Sequence, residues 1–346
     1  MPYMTWMVYG ANGYTGELVA REAVARGERP ILAGRNPSVA ALADSLGLEH
    51  RIFDLSAPDL SGVTAVAHCA GPFSATSRQM VDACIAAGVH YLDVTGEIDV
   101  FEAVHARSAE AAEAGVVLLP GAGFDVVPSD CLAGLLARAL PSATSLKLAF
   151  TVGGGMSRGT LRTTIEGMGT GGRIRVGGSI VDAPMAHQKV TAFFLTGPRT
   201  AISLPWGDVA TAYHSTGIPN ITTHMALPIS GGLISAGQRL MAPLMRLPFA
   251  QRLAKKLAGL ITGPGERQRT GSHSDFWGEV RDDSGAVATA ALKVPNAYSH
   301  TADAVVTIAQ RIGDVKPGAH TPATAFGPDF VRELKDVTVG PIAVLS

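Results

Sequence analysis

The sequence predicts an α/β protein, a doubly wound parallel sheet joined to a second α+β domain. Three observations carry this expectation. Short apolar runs alternate with helix-patterned segments over residues 1–130. Gly10, Gly13 and Gly16 stand between the first apolar run and the first helical pattern, where a Rossmann-type turn approaches a pyrophosphate. From Ser145 onward the pattern changes to alternating, extended segments around one or two helices. The expected division is a dinucleotide-binding domain over 1–130, an α+β substrate domain over 131–298, and a carboxyl-terminal segment, 299–346, returning to the first domain.

Thr5 to Tyr9 reads as a buried strand ending at Gly10. The turn Gly10-Ala11-Asn12-Gly13-Tyr14-Thr15-Gly16 then opens a helix carrying Leu18, Val19, Ala23 and Val24, which Gly27 ends. The glycines let the backbone approach a phosphate whose charge the helix start favours. Pro30 to Ala33 is the second strand, followed by Gly34-Arg35-Asn36-Pro37. An acid here would bind the adenosine ribose hydroxyls, whereas an arginine accepts a 2′-phosphate. No acid lies between Ile31 and Ala43, so Arg35, with Asn36 beside it, predicts NADP(H). A solvated loop arginine is the plainer alternative.

Helix Ser38 to Leu46 leads to strand His50 to Phe53, with Asp54 where an adenine amino group would be met. Strand Ala65 to Cys69 ends in Ala70-Gly71-Pro72-Phe73, a turn at the sheet's carboxyl edge, where ligands of open parallel sheets sit. Helix Ser77 to Ala87, closed by Gly88, precedes strand Tyr91 to Val94 and the turn Thr95-Gly96-Glu97. Helix Ile98 to Ala114 and strand Val116 to Leu119 follow, then Pro120-Gly121-Ala122-Gly123-Phe124-Asp125.

The glycine turn, Ala33-Gly34-Arg35, Ala70-Gly71-Pro72-Phe73, Tyr91-Leu92-Asp93-Val94-Thr95-Gly96-Glu97 and Gly123-Phe124-Asp125-Val126-Val127-Pro128-Ser129-Asp130, in this order, resemble the saccharopine dehydrogenase-like oxidoreductases. The branch most similar contains trans-acting enoyl reductases of polyketide-derived lipid assembly. Further on the resemblance thins to Ser157-Arg158-Gly159-Thr160, where family members tend to have a second glycine in place of Arg158, and Thr321-Pro322-Ala323. It implies an NADP(H) site at the glycine turn and Arg35, and a nicotinamide near Gly71-Pro72-Phe73 and Asp125. It leaves the substrate open, since the family spans imine and alkene reduction and includes members without an assigned reaction.

In the second domain, helix Pro128 to Leu140 and strand Ser145 to Val152 precede Gly153-Gly154-Gly155-Met156-Ser157-Arg158-Gly159 and a helix Thr160 to Met168. Extended segments follow at Ile174 to Ile180, Val190 to Phe194, Ala201 to Leu204, Trp277 to Val280 and Val287 to Val294. Helix Ser299 to Ile312 leads back.

Composition narrows the function. Apolar residues make up 47% and charged residues 16% of the chain, as in a globular protein, and the net charge of −1 argues against nucleic acid as a partner. Cys69, Cys84 and Cys131 lack metal or disulfide spacing, which fits a reduced, cytoplasmic compartment. No basic-then-apolar leader precedes the first strand, and no apolar run of roughly 18 residues suggests a membrane span. Gly155-Met156-Ser157-Arg158-Gly159 matches a hydrolase nucleophile elbow, yet such enzymes do not open on a dinucleotide turn. The Tyr-x-x-x-Lys pair of short-chain dehydrogenases is absent, and no metal motif is present.

Two classes of function stay open: a membrane- or lipid-associated protein that keeps the nucleotide site without turnover, and hydride transfer from NADPH to an electrophilic C=C or C=N, with a proton supplied by a side chain or water. Asp125 is the first candidate, against a role capping the following helix. Glu97 is the second, equally readable as a cap. Tyr298 and His300, after a Pro-Asn turn, could supply protons, although lone residues of this kind are usually structural. Arg158, Arg162, Arg173 and Arg175 suit substrate carboxylates or a phosphopantetheine arm, or simply a solvated face. Between Asp208 and Glu266 there is no acid, while Arg239, Arg246, Arg252, Lys255 and Lys256 flank leucines and methionines broken by Pro243 and Pro248. A core helix, a lid over an acyl chain, or a surface meeting membrane or an acidic carrier would each read this way. The expected partner is a small-molecule or carrier-bound acyl substrate; a peripheral membrane or acyl-carrier contact and a homodimer stay open.

Overall fold

The structure, a computed structural model, describes residues 5–153, 171–226 and 271–345. The chain forms two units. One runs to Val127 and resumes over Tyr298–Phe330; the other comprises Pro128–Ala297 and the chain from Val331.

The first unit begins with β1 (Trp6–Tyr9), α1 (Tyr14–Ala25), β2 (Ile31–Gly34), α2 (Ser38–Leu46), β3 (His50–Ile52), β4 (Ala65–His68), α3 (Phe73–Ala87), β5 (His90–Asp93), α4 (Ile98–His105), α5 (Ser108–Glu113) and β6 (Val117–Leu119). All of its strand pairings are parallel, in the order β6-β5-β4-β1-β2-β3. Strands β1, β2, β4 and β6 are buried along their whole length. That is the signature of a parallel sheet covered on both faces. The single helix expected over Ile98 to Ala114 is two helices. Arg107, at the break, leaves the helical path and pairs with Asp82 and with Glu110 of the next turn.

The second unit holds most of α6 (Val127–Ala139), then β7 (Ser145–Phe150), β8 (Gly172–Val176), β9 (Ser179–Ala183), β10 (Lys189–Phe194), β11 (Gly197–Ser203), α7 (Asp208–Thr216), β12 (Asn220–Met225), β13 (His273–Arg281) and β14 (Val287–Pro295). Its main path runs β10-β11-β12-β7-β13-β14, parallel only between β12 and β7. Helix α6 lies on this sheet: a Cβ added at Gly278 would stand 2.6 Å from Leu136 Cδ1. The expected strand Ile174 to Ile180 is a hairpin instead. Gly177 and Gly178, both at positive φ, form the two-residue turn between β8 and β9. Helix α7 and strand β12 were not anticipated, because the polar run Asn220-Ile221-Thr222-Thr223-His224 hides its alternation.

The chain returns through α8 (Ala297–Arg311), β15 (Gly318–Ala319) and α9 (Pro322–Phe326). Strand β15 pairs parallel with β6 and makes the first sheet seven-stranded. The last residues do not stay there: β16 (Thr338–Val339) and β17 (Ala343–Leu345) both pair with β14, so the segment 299–346 divides between the units. Among the described residues no helix is long and apolar enough to cross a membrane. The Gly155–Gly159 elbow match, the helix expected over Thr160 to Met168 and residues 227–264 of the acid-free stretch lie outside the described residues.

Candidate functional site

Strand β1 has β2 on one side and β4 on the other, so the connections leave its carboxyl end in opposite directions. This switch point is where open α/β sheets bind ligands. Gly10, at φ +81°, occupies it, and a Cβ there would lie 2.9 Å from both the amide nitrogen and the Cβ of Ala70. The loops after β1 and β4 therefore touch backbone to backbone. The amides of Gly10 and Ala11 donate to the Ala33 carbonyl at 2.8 and 3.1 Å, and Gly13 N–H closes onto Gly10 O at 2.9 Å. A Cβ at Gly16 would collide with the Gly10 carbonyl and lie 2.8 Å from Ala11 Cα. No side chain caps α1 after Gly13, which leaves its start suited to an anion.

Around this cradle the remaining expected cofactor residues take distinct places. Asn12 donates through Nδ2 to Ser38 Oγ at 2.9 Å, tying the glycine turn to the start of α2. Asn36 Oδ1 accepts from Ser38 N–H at 2.9 Å. Tyr14 sets its ring edge-on to Tyr298, centroids 4.8 Å apart, beside Thr15 on the first turn of α1. Arg35 is exposed at the end of β2, with no hydrogen bond or ion pair among the described residues. Asp54 is exposed and accepts from the amide of Ser56 at 2.8 Å and from its hydroxyl, bonds that hold its carboxyl below the ordinary range. That is a local turn, the plain use of an aspartate.

The loop Ala70-Gly71-Pro72-Phe73 is braced from two sides. The Thr76 hydroxyl donates to the carbonyls of Ala70 and Pro72, at 2.8 and 3.1 Å. The Glu97 carboxylate accepts from Phe73 N–H and Ser74 N–H, one oxygen each, at 2.8 Å. Glu97 thus caps α3 from a distant loop and makes no side-chain cap on its own helix α4. This is also why α3 starts four residues earlier than the local pattern predicts. With both oxygens engaged by backbone amides, Glu97 is a brace and not a free acid.

Asp125 is partly buried, two residues before α6, and burial pushes its carboxyl up to about 6. A Cβ on Gly96 would stand 2.8 Å from its Oδ2, so the missing side chain at Gly96 gives this carboxylate its room. The preceding Phe124 N–H donates to Thr301 Oγ1 of α8 at 3.0 Å.

The sequence reading overlooked Asp93, although it quoted the run that contains it. Asp93 is 1% exposed, and its carboxylate accepts from Tyr91 Oη at 2.6 Å and from the amides of Thr95 and Gly121 at 2.9 Å. Burial pushes it up to about 6 against the pull of those bonds. His68, at the end of β4, packs among Tyr9, Phe73 and Tyr91, and burial drives its imidazole down to about 4, so the ring is neutral at physiological pH. His300 is fully buried and pushed down to about 3 by burial, which makes it a poor proton donor. Arg175 is buried in the second unit, donating to the carbonyls of Val209 and Gly178 at 2.8 and 2.7 Å under the Tyr213 ring. Arg158 and Arg162 lie outside the described residues.

Where β1 and β4 part, the chain has built what dinucleotide-binding α/β domains use to seat a pyrophosphate. Residues 6–119 match the family model of the saccharopine dehydrogenase NADP binding domain. Saccharopine dehydrogenase-like oxidoreductase of Rattus norvegicus is 30% identical over 204 residues, 49% of this chain and 47% of that protein. A trans-acting enoyl reductase of Mycobacterium ulcerans is 30% identical over 138 residues, 36% of this chain and 33% of its own length. The chain thus spans less than half the length of these relatives. In fold, it is similar to saccharopine dehydrogenase (L-Glu forming) from Saccharomyces cerevisiae, with a TM-score of 0.59 at 11% identity, covering 99% of this chain and 100% of that one.

Proposed function

We propose that this chain is an NADPH-dependent oxidoreductase that reduces the C=C bond of an enoyl group on an apolar acyl or polyketide-type substrate, free or carrier-bound. The observation that carries the reading is the Asp125 carboxyl, partly buried at the carboxyl edge of the NADP-binding sheet and pushed up to about 6. A carboxyl titrating near neutrality can hold a proton and release it to a reacting atom. The amides from Gly10 to Gly16 would hold the pyrophosphate, Arg35 with Asn36 the 2′-phosphate, and Ala70-Gly71-Pro72-Phe73 would flank the nicotinamide. NADPH, when bound, supplies the hydride. Asp125 delivers its proton to the carbon next to the thioester carbonyl as the β-carbon takes the hydride and the π bond breaks. Left as a carboxylate, it regains a proton from water.

The name of the M. ulcerans relative favours C=C over C=N. A saccharopine-type imine is the second reading, favoured by the name of the NADP-binding family. Its two or more carboxylates would need cations, and Arg175, one of the arginines suited to that role, is engaged inside the second unit. The test follows NADPH oxidation with enoyl thioesters of increasing chain length, and separately with imines of amino acids and aldehydes, with the product read by mass spectrometry. A saturated acyl product supports the first reading, and a secondary amine replaces it with the second. NADPH binding without oxidation in either arm would make the chain a nucleotide-binding protein without turnover on these substrates.

A further inference from the structure

We propose that Asp93 and Glu97 act together as positioning residues that set the loop Ala70–Phe73 against the nicotinamide half of the cofactor. The proposal rests on the reading of that loop given above. Loops beyond the ends of parallel strands have no ladder to satisfy their amides, so something else must place them. Here one short segment serves three of them. Asp93 gathers the Thr95 amide of its own loop and the Gly121 amide from the loop after β6. Its backbone carbonyl also accepts from Ala122 N–H at 2.6 Å. Glu97 then reaches the loop after β4 through Phe73 and Ser74. Between the two carboxylates, Glu97 N–H donates to Thr95 Oγ1 at 3.1 Å, and Gly96 lies against Asp125. The segment 93–97 therefore joins the loop after β6 to the proposed nicotinamide loop through two carboxylates that accept from backbone amides, with the side chain of the proposed proton donor against Gly96.

The base of this strut is polar and buried. Tyr91 Oη donates to Asp93 and lies 3.4 Å from His68 Nδ1, while Cys69, just past β4, and Glu97 itself are near enough to act on the Asp93 carboxylate. Burying a carboxylate is costly, and a cap on α3 alone would not require Asp93 at all. The arrangement makes physical sense if the spacing of the three loops matters.

The experiment compares two probes that share an adenosine half. NADPH carries the nicotinamide; 2′,5′-ADP does not. Glu97→Ala and Asp93→Ala are expected to weaken NADPH roughly tenfold, the size of one lost charge-assisted contact, and to leave 2′,5′-ADP within about twofold. Glu97→Gln, which keeps one acceptor oxygen, should recover part of the NADPH loss. Equal losses for both probes, or no loss for NADPH, would overturn the proposal in favour of a purely structural role. If the wild-type protein binds neither probe, the cofactor reading fails, and hydrogen exchange in the free protein decides the strut separately. Asp93→Asn should then speed exchange at Phe73 and Ser74, which Asp93 does not touch. Unchanged exchange at those two amides sinks the proposal.

Discussion

At the end of β2, Arg35 is exposed and offers a full guanidinium to an incoming phosphate. Losing one such charge-assisted contact costs on the order of 1.5–3 kcal/mol. Arg35→Ala should therefore remove most of a preference for NADPH over NADH of at least roughly tenfold; calorimetric titration with both nucleotides tests this, and equal dissociation constants in the wild type would refute it. Asp125 makes a different kind of prediction. As an acid it must be protonated to act, so turnover should fall as pH rises through about 6, and Asp125→Asn should lower turnover more than NADPH affinity. Its stability effect has the same direction. A carboxyl with a raised folded pKa stabilises fully below the ordinary carboxylate range and loses that contribution as pH rises through about 6. Urea unfolding at a series of pH values should show this decline in the wild type and a smaller one in Asp125→Asn. Both residues could be singled out from the sequence because a local pattern marks each, Arg35 directly after β2 and Asp125 in the glycine-rich turn before α6. Asp93 was not, since Tyr91 and Thr95 beside it make only a local turn and Gly121, 28 residues on, reaches it only when β5 and β6 are in register.

The elements show the same division between local and distant causes. The βα alternation was readable because buried parallel strands are nearly continuous apolar runs and Gly47 and Gly88 stop α2 and α3 in the left-handed conformation. The start of α3 was not, since its cap Glu97 lies 24 residues from Phe73. The hairpin of β8 and β9 was concealed in one alternating run, although Gly177-Gly178 is a sufficient turn signal. Gly16 is the sharpest test at this scale. A methyl group there has only the Gly10 carbonyl and the Ala11 backbone to meet, and neither can yield without moving β1 from α1. Gly16→Ala should cost about 1–3 kcal/mol by overpacking, and NADPH affinity should fall with it because the cradle opens. Unfolding and binding measurements matching the wild type would show that α1 does not sit so close to β1.

At the scale of the whole chain, the first unit is not contiguous. Its sheet is completed by β15, and α8 returns to it after residues 128–297 of the second unit. Two contacts show what α8 does there. Arg26, at the end of α1, holds Glu22 at 2.7 Å and reaches Asp303, whose side chain is nearly buried. Thr301, two residues earlier, accepts from Phe124 N–H and sets its methyl against Gly123, where a Cβ would be 2.9 Å away. The loop that carries Asp125 is thus held by a hydroxyl encoded 177 residues later, a pairing no local pattern could announce. Thr301→Val keeps the shape and removes the hydroxyl, so the buried Phe124 amide loses this acceptor at a cost of about 1–3 kcal/mol. If the loop's placement governs proton delivery, turnover should fall by more than the stability loss explains. Affinity for 2′,5′-ADP, which would meet the glycine cradle and Arg35 rather than the loop of Asp125, should remain unchanged. A variant that melts earlier yet turns over normally per folded molecule would show that Thr301 supports the fold and not the position of Asp125.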